Sequence, residues 1–271
     1  AVALEAGALE GGTARGLLAT APFVFLGLWR GRAAFAVDLS AAERPETALQ
    51  EVGMPEAGVP EMGVPEMGVP GGAEFADLRE VGPLMAPAEA AILAQARGML
   101  HWRARHRFCG VCGGATAPEE AGNRVRCTAC GAEHFPRTDP AVIMLVVRGE
   151  AALLAHARRF ADPRLHSTLA GFVEPGESLE EAVAREVFEE VGLRVGRVHY
   201  HSSQPWPFPA SLMVGFWAEA EPGPLRLDEQ EIDAARWFDR AALRDPAAAG
   251  IALPGPLSIA RRLVEDWVAT A

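Results

Sequence analysis

Three glutamates in the second half of the chain, Glu186, Glu189 and Glu190, have types and a spacing that could do chemistry. Positions i, i+3 and i+4 are neighbours on a helix, so their carboxylates repel one another and weaken the helix unless a cation binds between them. Carboxylate oxygens suit Mg²⁺ or Mn²⁺, and such ions neutralise phosphate oxygens and activate water for attack on phosphorus. Arg185 can pair with one carboxylate and fix its rotamer. The pattern indicates a divalent-metal site for phosphate chemistry, with a solvated acidic helix face as the alternative.

A helix over residues 178–191 is predicted to carry these glutamates. Ser178 followed by Glu181 forms a capping box that begins a helix, and Gly192 supplies a C-terminal stop. Apolar side chains recur at helical spacing and predict one buried stripe, made of Leu179, Ala182, Val183, Val187 and Val191. Gly171, which precedes the helix, has no side chain and lets the backbone approach a metal ion or phosphates closely.

The cysteines of the chain form two pairs with 14 residues between them, Cys109-x-x-Cys112 and Cys127-x-x-Cys130. Each pair can present two thiolates from one tight turn, and two such turns complete a tetrahedron around a metal ion. Gly113 and Gly131 directly follow the pairs, where a turn favours a residue that tolerates positive φ. We expect a structural Zn²⁺ site, with two disulfides or a redox pair as the alternatives. Four thiolates close the coordination, so this metal is not expected to be catalytic.

Arginines outnumber acidic residues around the cysteines. The two sets are Arg97, Arg103, Arg105, Arg107, Arg124, Arg126 and Arg137 against Glu119, Glu120 and Glu133. The interpretation we favour is that these arginines form the solvated surface of a small module. The alternative is that they contact a phosphate chain.

Strand and helix patterns elsewhere predict a mixed α/β protein. Apolar runs at 23–29 and 33–39 flank Gly31 and predict a β-hairpin with Gly31 in its turn. Apolar runs and periodicity further along the chain predict strands at 141–147, 151–155 and 211–220 and helices at 87–105 and 256–269.

A five-residue Gly/Pro repeat near 51–72 defeats both helix and paired strand, because a proline recurs in every unit. We interpret it as a solvated loop, with a partner-binding segment as the alternative. The composition and motifs predict three domains, which are an N-terminal domain over 1–105, a zinc ribbon over 106–135 and a third domain over 136–271.

Charge and composition exclude several classes of protein. All 25 basic residues are arginine, against 36 acidic residues, so the net charge is −11 and no lysine is present for catalysis or for a Walker-type phosphate loop. This charge argues against coating nucleic acid by bulk electrostatics. The apolar run 17–29 contains Pro22 and is too short to span a bilayer, and acidic residues precede it. We therefore expect a soluble, cytoplasmic protein without a membrane partner.

The pattern Gly-x5-Glu-x7-Arg-Glu-x2-Glu-Glu-x-Gly over 171–192 resembles the Nudix box of the Nudix hydrolases at every fixed position. Residues 203–213, SQPWPFPASLM, resemble the signature of one branch, the NADH pyrophosphatases, which also remove NAD caps from RNA. The four-cysteine module is a further mark of that branch. The resemblance is good over residues 90–271 and loose in the N-terminal part, where the five-residue repeat has no counterpart.

The resemblance implies a fold and a reaction. The fold is a Nudix α/β/α sandwich, preceded by a zinc ribbon and a small N-terminal α/β domain. The reaction is metal-dependent hydrolysis of the pyrophosphate bond of NAD(H), which gives nicotinamide mononucleotide and AMP, and of NAD-capped RNA. A homodimer is implied as well.

Ligands and catalytic residues follow from the resemblance position by position. Glu186 and Glu190 match the essential metal carboxylates, and Glu189 matches a neighbouring, partly redundant one. Ala170 matches a main-chain carbonyl ligand and Glu231 a distal carboxylate that joins the metal cluster. Arg185 completes the catalytic set. Loss of Glu190 is expected to be the most damaging.

Substrate contacts are implied for two aromatic residues, Phe172 and Trp206, which match residues that stack on nicotinamide. A proline-stiffened substrate loop surrounds Trp206 and comprises Gln204, Pro205, Trp206, Pro207, Phe208, Pro209, Ala210 and Ser211. Ala260 matches a main-chain contact. Phe135 stands where a tyrosine usually reaches the partner subunit's site, so stacking survives but a hydroxyl contact is lost.

Two other functions remain open at the level of sequence. One is a broader nucleoside-diphosphate hydrolase that acts on ADP-ribose or dinucleoside polyphosphates, against which the prolyl-aromatic segment argues. The other is a non-catalytic zinc-ribbon protein that binds RNA, against which the intact metal carboxylates argue.

Overall fold

A computed structural model describes residues 2–5, 21–29, 31–41 and 76–270. The repeat near 51–72 lies outside the described residues, so its interpretation as a loop stays a prediction. The chain forms two compact units: the N-terminal unit runs to Arg137 and includes Pro207–Ala210, and the C-terminal unit comprises Thr138–Trp206 and Ser211–Ala271. Among the described helices, none is long and apolar enough to cross a membrane. The three-domain division at 105 and 135 also stays a prediction.

The N-terminal unit begins with an antiparallel sheet of order β1-β3-β2, whose strands are β1 (Val2–Glu5), β2 (Phe23–Trp29) and β3 (Arg32–Val37). The predicted hairpin is confirmed, and Gly31 has φ +78° in its turn. Helix α1 (Leu78–Val81) and a 3-10 turn (Gly82–Leu84) lead into helix α2 (Pro87–Arg105), which has the predicted bounds. Buried side chains of α2, among them Leu100 and Trp102, pack against Val24 and Ala36 of the sheet.

The cysteine module lies in the same unit and has three short antiparallel strands, β4 (Thr116–Glu119), β5 (Arg124–Cys127) and β6 (Glu133–His134). Arg124 contacts Glu119 at 2.8 Å and Glu133 at 3.0 Å, and Arg126 contacts Glu119 at 2.9 Å. These two arginines form ion pairs with glutamates of the module. This favours the interpretation that they belong to the surface of the module over the alternative that they contact a phosphate chain.

The C-terminal unit is built on a mixed six-stranded sheet. Its strands are β7 (Asp139–Arg148), β8 (Ala151–Ala157), β9 (Leu169–Phe172), β10 (Val195–Trp206), β11 (Ser211–Ala220) and β12 (Ile232–Asp239). The order is β10-β11-β7-β8-β12, with β9 paired to β7 and with β7 and β11 parallel. Its helices are α3 (Leu179–Val191), α4 (Arg240–Arg244) and α5 (Ile259–Ala269).

Alternation along β7 divides the C-terminal unit into two cores. Val142 and Met144 face one core together with the buried stripe of α3, whereas Ile143 and Leu145 face the other together with α5. Helices therefore cover both faces of the sheet. The expected α/β/α sandwich is confirmed, and so are the predicted strands and helices of this unit, except that α5 begins at Ile259.

The segment expected to be one substrate loop is divided between strands. Gln204, Pro205 and Trp206 end β10, and Ser211 begins β11, so that only residues 207–210 form the connecting turn. The prolines favoured a loop, but β10 lies at the edge of the sheet, and an edge strand accepts proline because one side of it needs no backbone donor.

Candidate active site

Local sequence signals set both ends of helix α3. Ser178 Oγ accepts from the Glu181 N–H at 3.3 Å, and the Glu181 carboxylate accepts from the Ser178 N–H at 2.8 Å, which completes the predicted capping box. Gly192 has φ +72° and ends the helix in the left-handed conformation. With both ends defined, the helix carries Glu186 to a position beside strand β9, and Glu190 lies one turn further along.

Arg185 organises the acidic residues of this region. Its Nε donates to Glu177 at 2.6 Å, and one terminal nitrogen donates to Glu186 at 2.8 Å and to Glu189 at 3.0 Å. The other terminal nitrogen donates to the Phe172 carbonyl at 2.8 Å, which ties α3 to the end of β9. The Arg185 hydrogen bond lowers the pKa of Glu177 to about 2, and the carboxylates raise the pKa of Arg185. Arg185 therefore restricts several carboxylate rotamers at once.

The fixed glycine at position 171 is explained by its closeness to Glu186. A Cβ added to Gly171 would lie 1.8 Å from the Glu186 Cδ atom, well inside any possible contact distance. Strand β9 therefore passes directly beside the Glu186 carboxylate. This close approach also brings the backbone of Ala170 to the same region.

Glu190 is the most unusual group in the C-terminal unit. Its side chain is only 5% exposed, and its Oε2 atom has no hydrogen-bond partner among the described residues. Burial raises the pKa of Glu190 to about 8, and the charges of Glu186 and Glu231 add to the shift. The charge of Arg159 and a hydrogen bond from the Ala170 backbone oppose this shift only in part. A buried carboxylate whose ionised form is disfavoured in this way needs either a proton or a cation.

A small cavity next to Glu190 contains a residue that the sequence analysis missed. Thr168 is 7% exposed, and within the described part of the chain its hydroxyl lacks a partner. Thr168, Ala170 and Arg159 line the same cavity as Glu190. Thr168 lies three positions before the Nudix box, and its burial depends on tertiary packing, so no local signal could have identified it.

The acidic residues fit a divalent cation. Burial raises the pKa of Glu186, and the hydrogen bond and charge of Arg185 oppose this shift. The nearby charges of Glu189 and Glu231 raise the pKa further, so carboxylate charge is concentrated in this region. Carboxylate and carbonyl oxygens from Glu190, Ala170 and these residues are the ligands that hard divalent cations prefer. Among the described residues, the ligand atoms of these carboxylates are not gathered as tightly as those of the cysteines.

The four cysteines fit a zinc ion closely. Their Sγ atoms all lie within 4.8 Å of one another, with 3.8 Å between Cys109 and Cys130 and 3.5 Å between Cys112 and Cys127. A tetrahedron with Zn–S bonds of about 2.3 Å has edges of about 3.8 Å. All four cysteines are free thiols, so the alternative of two disulfides is not the arrangement found. The zinc ribbon prediction is confirmed.

Turn geometry supports the zinc site. Gly113 and Gly131 have φ of +76° and +74°, as the sequence predicted. Backbone N–H groups of Cys130 and Ala129 donate to Cys127 Sγ at 3.4 Å and lower the pKa of that thiol, whereas the neighbouring thiols raise the pKa of Cys130. A thiolate is the form that binds zinc.

The predicted substrate residues of the C-terminal unit have different environments. Phe172 is 60% exposed at the end of β9, where Arg185 binds its carbonyl. Gln204 is bound at both ends of its amide: Nε2 donates to the Leu257 carbonyl at 2.6 Å, and Oε1 accepts from the Ile259 N–H at 2.9 Å. Gln204 therefore ties β10 to the start of α5. Its contact with substrate stays a prediction, as do those of Pro205, Trp206 and Ser211.

Ala260 lies in the first turn of α5 and is 2% exposed, and its N–H donates to Ser258 Oγ at 3.2 Å. Other predicted substrate residues belong to the N-terminal unit. Phe135 is 60% exposed there, and Pro207–Ala210 also belong to that unit.

Comparison with known proteins agrees with these features. Residues 4–102 match the NADH pyrophosphatase-like rudimentary Nudix domain, residues 104–135 the NADH pyrophosphatase zinc ribbon domain and residues 137–254 the Nudix domain. The chain is 44% identical over 198 residues to the NAD-capped RNA hydrolase NudC of Stutzerimonas stutzeri (strain A1501), which covers 73% of this chain and 69% of that protein.

A relative from Homo sapiens, NAD-capped RNA hydrolase NUDT12, is 42% identical over 194 residues, or 66% of this chain and 42% of that protein. The chain thus spans less than half of the human relative. The crystal structure of a Nudix hydrolase from Nitrosomonas europaea shares the fold with a TM-score of 0.50 and 20% identity, over 60% of this chain and 90% of that one. The chain belongs to the Nudix hydrolase family, in the branch of the NADH pyrophosphatases and NAD-capped RNA hydrolases.

Proposed function

We propose that the chain hydrolyses the pyrophosphate bond of NAD(H), free or as the cap of RNA, with Mg²⁺ or Mn²⁺ as cofactor. The observation that carries this proposal is the buried Glu190 carboxylate, whose Oε2 lacks a partner among the described residues. Glu186 and Glu231 add negative charge to its surroundings. Such a cluster is stable only with protons or with a cation, and a cation is what pyrophosphate hydrolysis requires.

The reaction adds water across the P–O–P bridge. One bridging P–O bond breaks, the water oxygen bonds to one phosphorus, and a proton is released. Free NAD(H) gives nicotinamide mononucleotide and AMP, and capped RNA gives nicotinamide mononucleotide and RNA with a 5′ monophosphate. A divalent cation held at this site supplies neutralisation of the pyrophosphate charge and activation of water. Glu186, Glu189, Glu190 and Glu231, with the Ala170 carbonyl, would hold it.

The protein's own residues orient this site. Arg185 holds Glu186 and Glu189 through one terminal nitrogen, so that neither carboxylate has to be ordered when substrate binds. Glu190 is buried, which excludes bulk water from one side of the carboxylate cluster. Proton and cation compete for Glu190, because burial raises its pKa to about 8.

Selectivity for a nicotinamide dinucleotide rests on the aromatic residues. Phe172 presents an exposed ring beside the Arg185 contacts, and Trp206 ends strand β10. A flat ring stacks on a base over a large area. Two relatives carry the name NAD-capped RNA hydrolase, which supports the same class of substrate.

Assembly and location complete the proposal. A homodimer gives exposed Phe135 a place at the partner's site. The four free thiols of the zinc ribbon suit a reducing compartment, and we place the protein in the cytoplasm.

The test is Glu190→Gln, assayed with NADH and separated products. The variant is expected to lose turnover by at least about 100-fold while its circular dichroism and zinc content remain those of the wild type. Glu180→Gln, an exposed position on the same helix, serves as the matched control and should retain activity. Full activity of Glu190→Gln would contradict the assignment.

A further inference from the structure

We propose that Arg97 and Arg79 are positioning residues that hold the turn at 207–210 and, through it, keep Trp206 ready for the nicotinamide ring. This inference rests on the proposed function and gives the N-terminal unit a part in substrate selection. The turn connects β10 to β11, yet by its contacts it belongs to the N-terminal unit.

The contacts within the N-terminal unit are specific. Arg97 Nε donates to the Pro207 carbonyl at 2.9 Å. The guanidinium carbon of Arg97 lies 4.9 Å from the centroid of the Phe208 ring, and that of Arg79 lies 4.3 Å from the same centroid. Both distances are within the range of cation–π attraction. Pro207 is buried, so this turn is not a free surface loop.

Each arginine comes from a separate helix. Arg79 lies in α1 and Arg97 in the middle of α2, whose buried face packs against the N-terminal sheet. The Phe208 ring is therefore contacted by arginines of two helices, and Arg97 lies 110 positions before Pro207 in the sequence.

The turn held by the arginines is covalently joined to Trp206, the residue proposed to stack on nicotinamide. One peptide bond joins Pro207 to Trp206, so a fixed Pro207 carbonyl limits the backbone of Trp206. When a binding segment is ordered beforehand, its ordering cost is removed from ligand binding. Loss of the arginine contacts should weaken binding of nicotinamide substrates and leave the carboxylate site on α3 unchanged.

Arginine is required for both contacts at once. A guanidinium is planar, stacks on an aromatic ring and still directs Nε to a carbonyl, whereas a lysine ammonium offers only a point charge. Arg97→Lys is therefore informative: it would preserve activity if Arg97 only attracted phosphate, and it should fail if Arg97 holds the turn.

The experiment compares NADH with ADP-ribose, which has the pyrophosphate but no nicotinamide. In Arg97→Met and Arg97→Lys, KM for NADH should rise about tenfold with kcat within about twofold, while kcat/KM for ADP-ribose stays within about twofold. Arg105→Met, at an exposed position of the same helix, is the matched control and should change neither substrate. Phe208→Leu should reproduce the effect, and its combination with Arg97→Met should be less than additive.

A readout independent of activity completes the test. Amide hydrogen exchange of residues 206–211 should be faster in Arg97→Met and in Phe208→Leu than in the wild type and in Arg105→Met. Unchanged exchange in both variants, or an unchanged ratio of NADH to ADP-ribose activity in both variants, would overturn the inference. If Arg97→Met does not fold, the substrate ratio and the amide exchange of Phe208→Leu test the inference. Failure of the wild type to cleave NADH would refute the proposed function, whereas the exchange result would still judge the inference.

Discussion

Replacing Glu190 by glutamine is expected to stabilise the protein when no divalent cation is bound. Burial raises the pKa of Glu190 from 4.5 to about 8. As the pH rises through this interval, Glu190 loses its proton in the unfolded chain but keeps it in the folded protein, so the free energy of unfolding of the wild type falls. Between pH 4.5 and pH 7, at about 1.4 kcal/mol per pH unit, the free energy of unfolding falls by about 3 kcal/mol. Glutamine has no charge to bury and avoids this loss.

The assay is urea unfolding followed by circular dichroism between pH 4.5 and pH 8. Zinc content is kept constant and Mg²⁺ and Mn²⁺ are omitted. Glu190→Gln and the wild type should agree at the acidic end and diverge with rising pH until the difference reaches about 3 kcal/mol near neutrality. Glu180→Gln, an exposed position on the same helix, should stay within about 0.5 kcal/mol of the wild type throughout.

Addition of Mg²⁺ should reverse the order of stability. The cation stabilises only a folded protein that binds it, so the wild type should gain free energy of unfolding and Glu190→Gln should gain little. A difference between the two proteins that does not depend on pH, or a Glu190→Gln variant that is the less stable one without cations, would refute the reasoning about burial.

Three further substitutions test other parts of the site. Gly171→Ala places a Cβ 1.8 Å from the Glu186 carboxylate carbon and should cost about 1–3 kcal/mol of stability together with most of the activity, whereas Gly98→Ala, with open space around its Cα, should not. Arg185→Lys cannot bridge three carboxylates and should lower metal affinity or kcat about 10–100-fold, as titration calorimetry and steady-state kinetics would reveal. Cys112→Ser should abolish zinc binding, measured as metal content, and unfold the ribbon; a full zinc equivalent would contradict the four-thiolate site.

Helix α3 was predictable because its signals are local. The capping box at Ser178 and the glycine at 192 lie within the helix or next to it, so the predicted range 178–191 differs from the structure by one residue. The cysteine pairs were predictable for the same reason, because each turn needs only a few neighbouring residues.

Strand β10 and the buried state of Glu190 were not predictable from local pattern. Prolines at 205, 207 and 209 indicated a loop, and only the position of β10 at the sheet edge lets Pro205 join a strand. The sequence placed Glu190 correctly on the helix. Its burial, and that of Thr168, follow from the packing of β9 and its neighbours against α3, which depends on residues distant in the chain.

The central claim is hydrolysis of a nicotinamide dinucleotide at the Glu190 site. The most direct test is kcat/KM measured side by side for NADH, NAD⁺, ADP-ribose and NAD-capped RNA, with Mg²⁺ and with Mn²⁺. The kcat/KM values of the nicotinamide substrates are expected to exceed that of ADP-ribose by at least about tenfold, and nicotinamide mononucleotide should appear as a product. Equal or better turnover of ADP-ribose, or no hydrolysis of any nicotinamide dinucleotide, would contradict it.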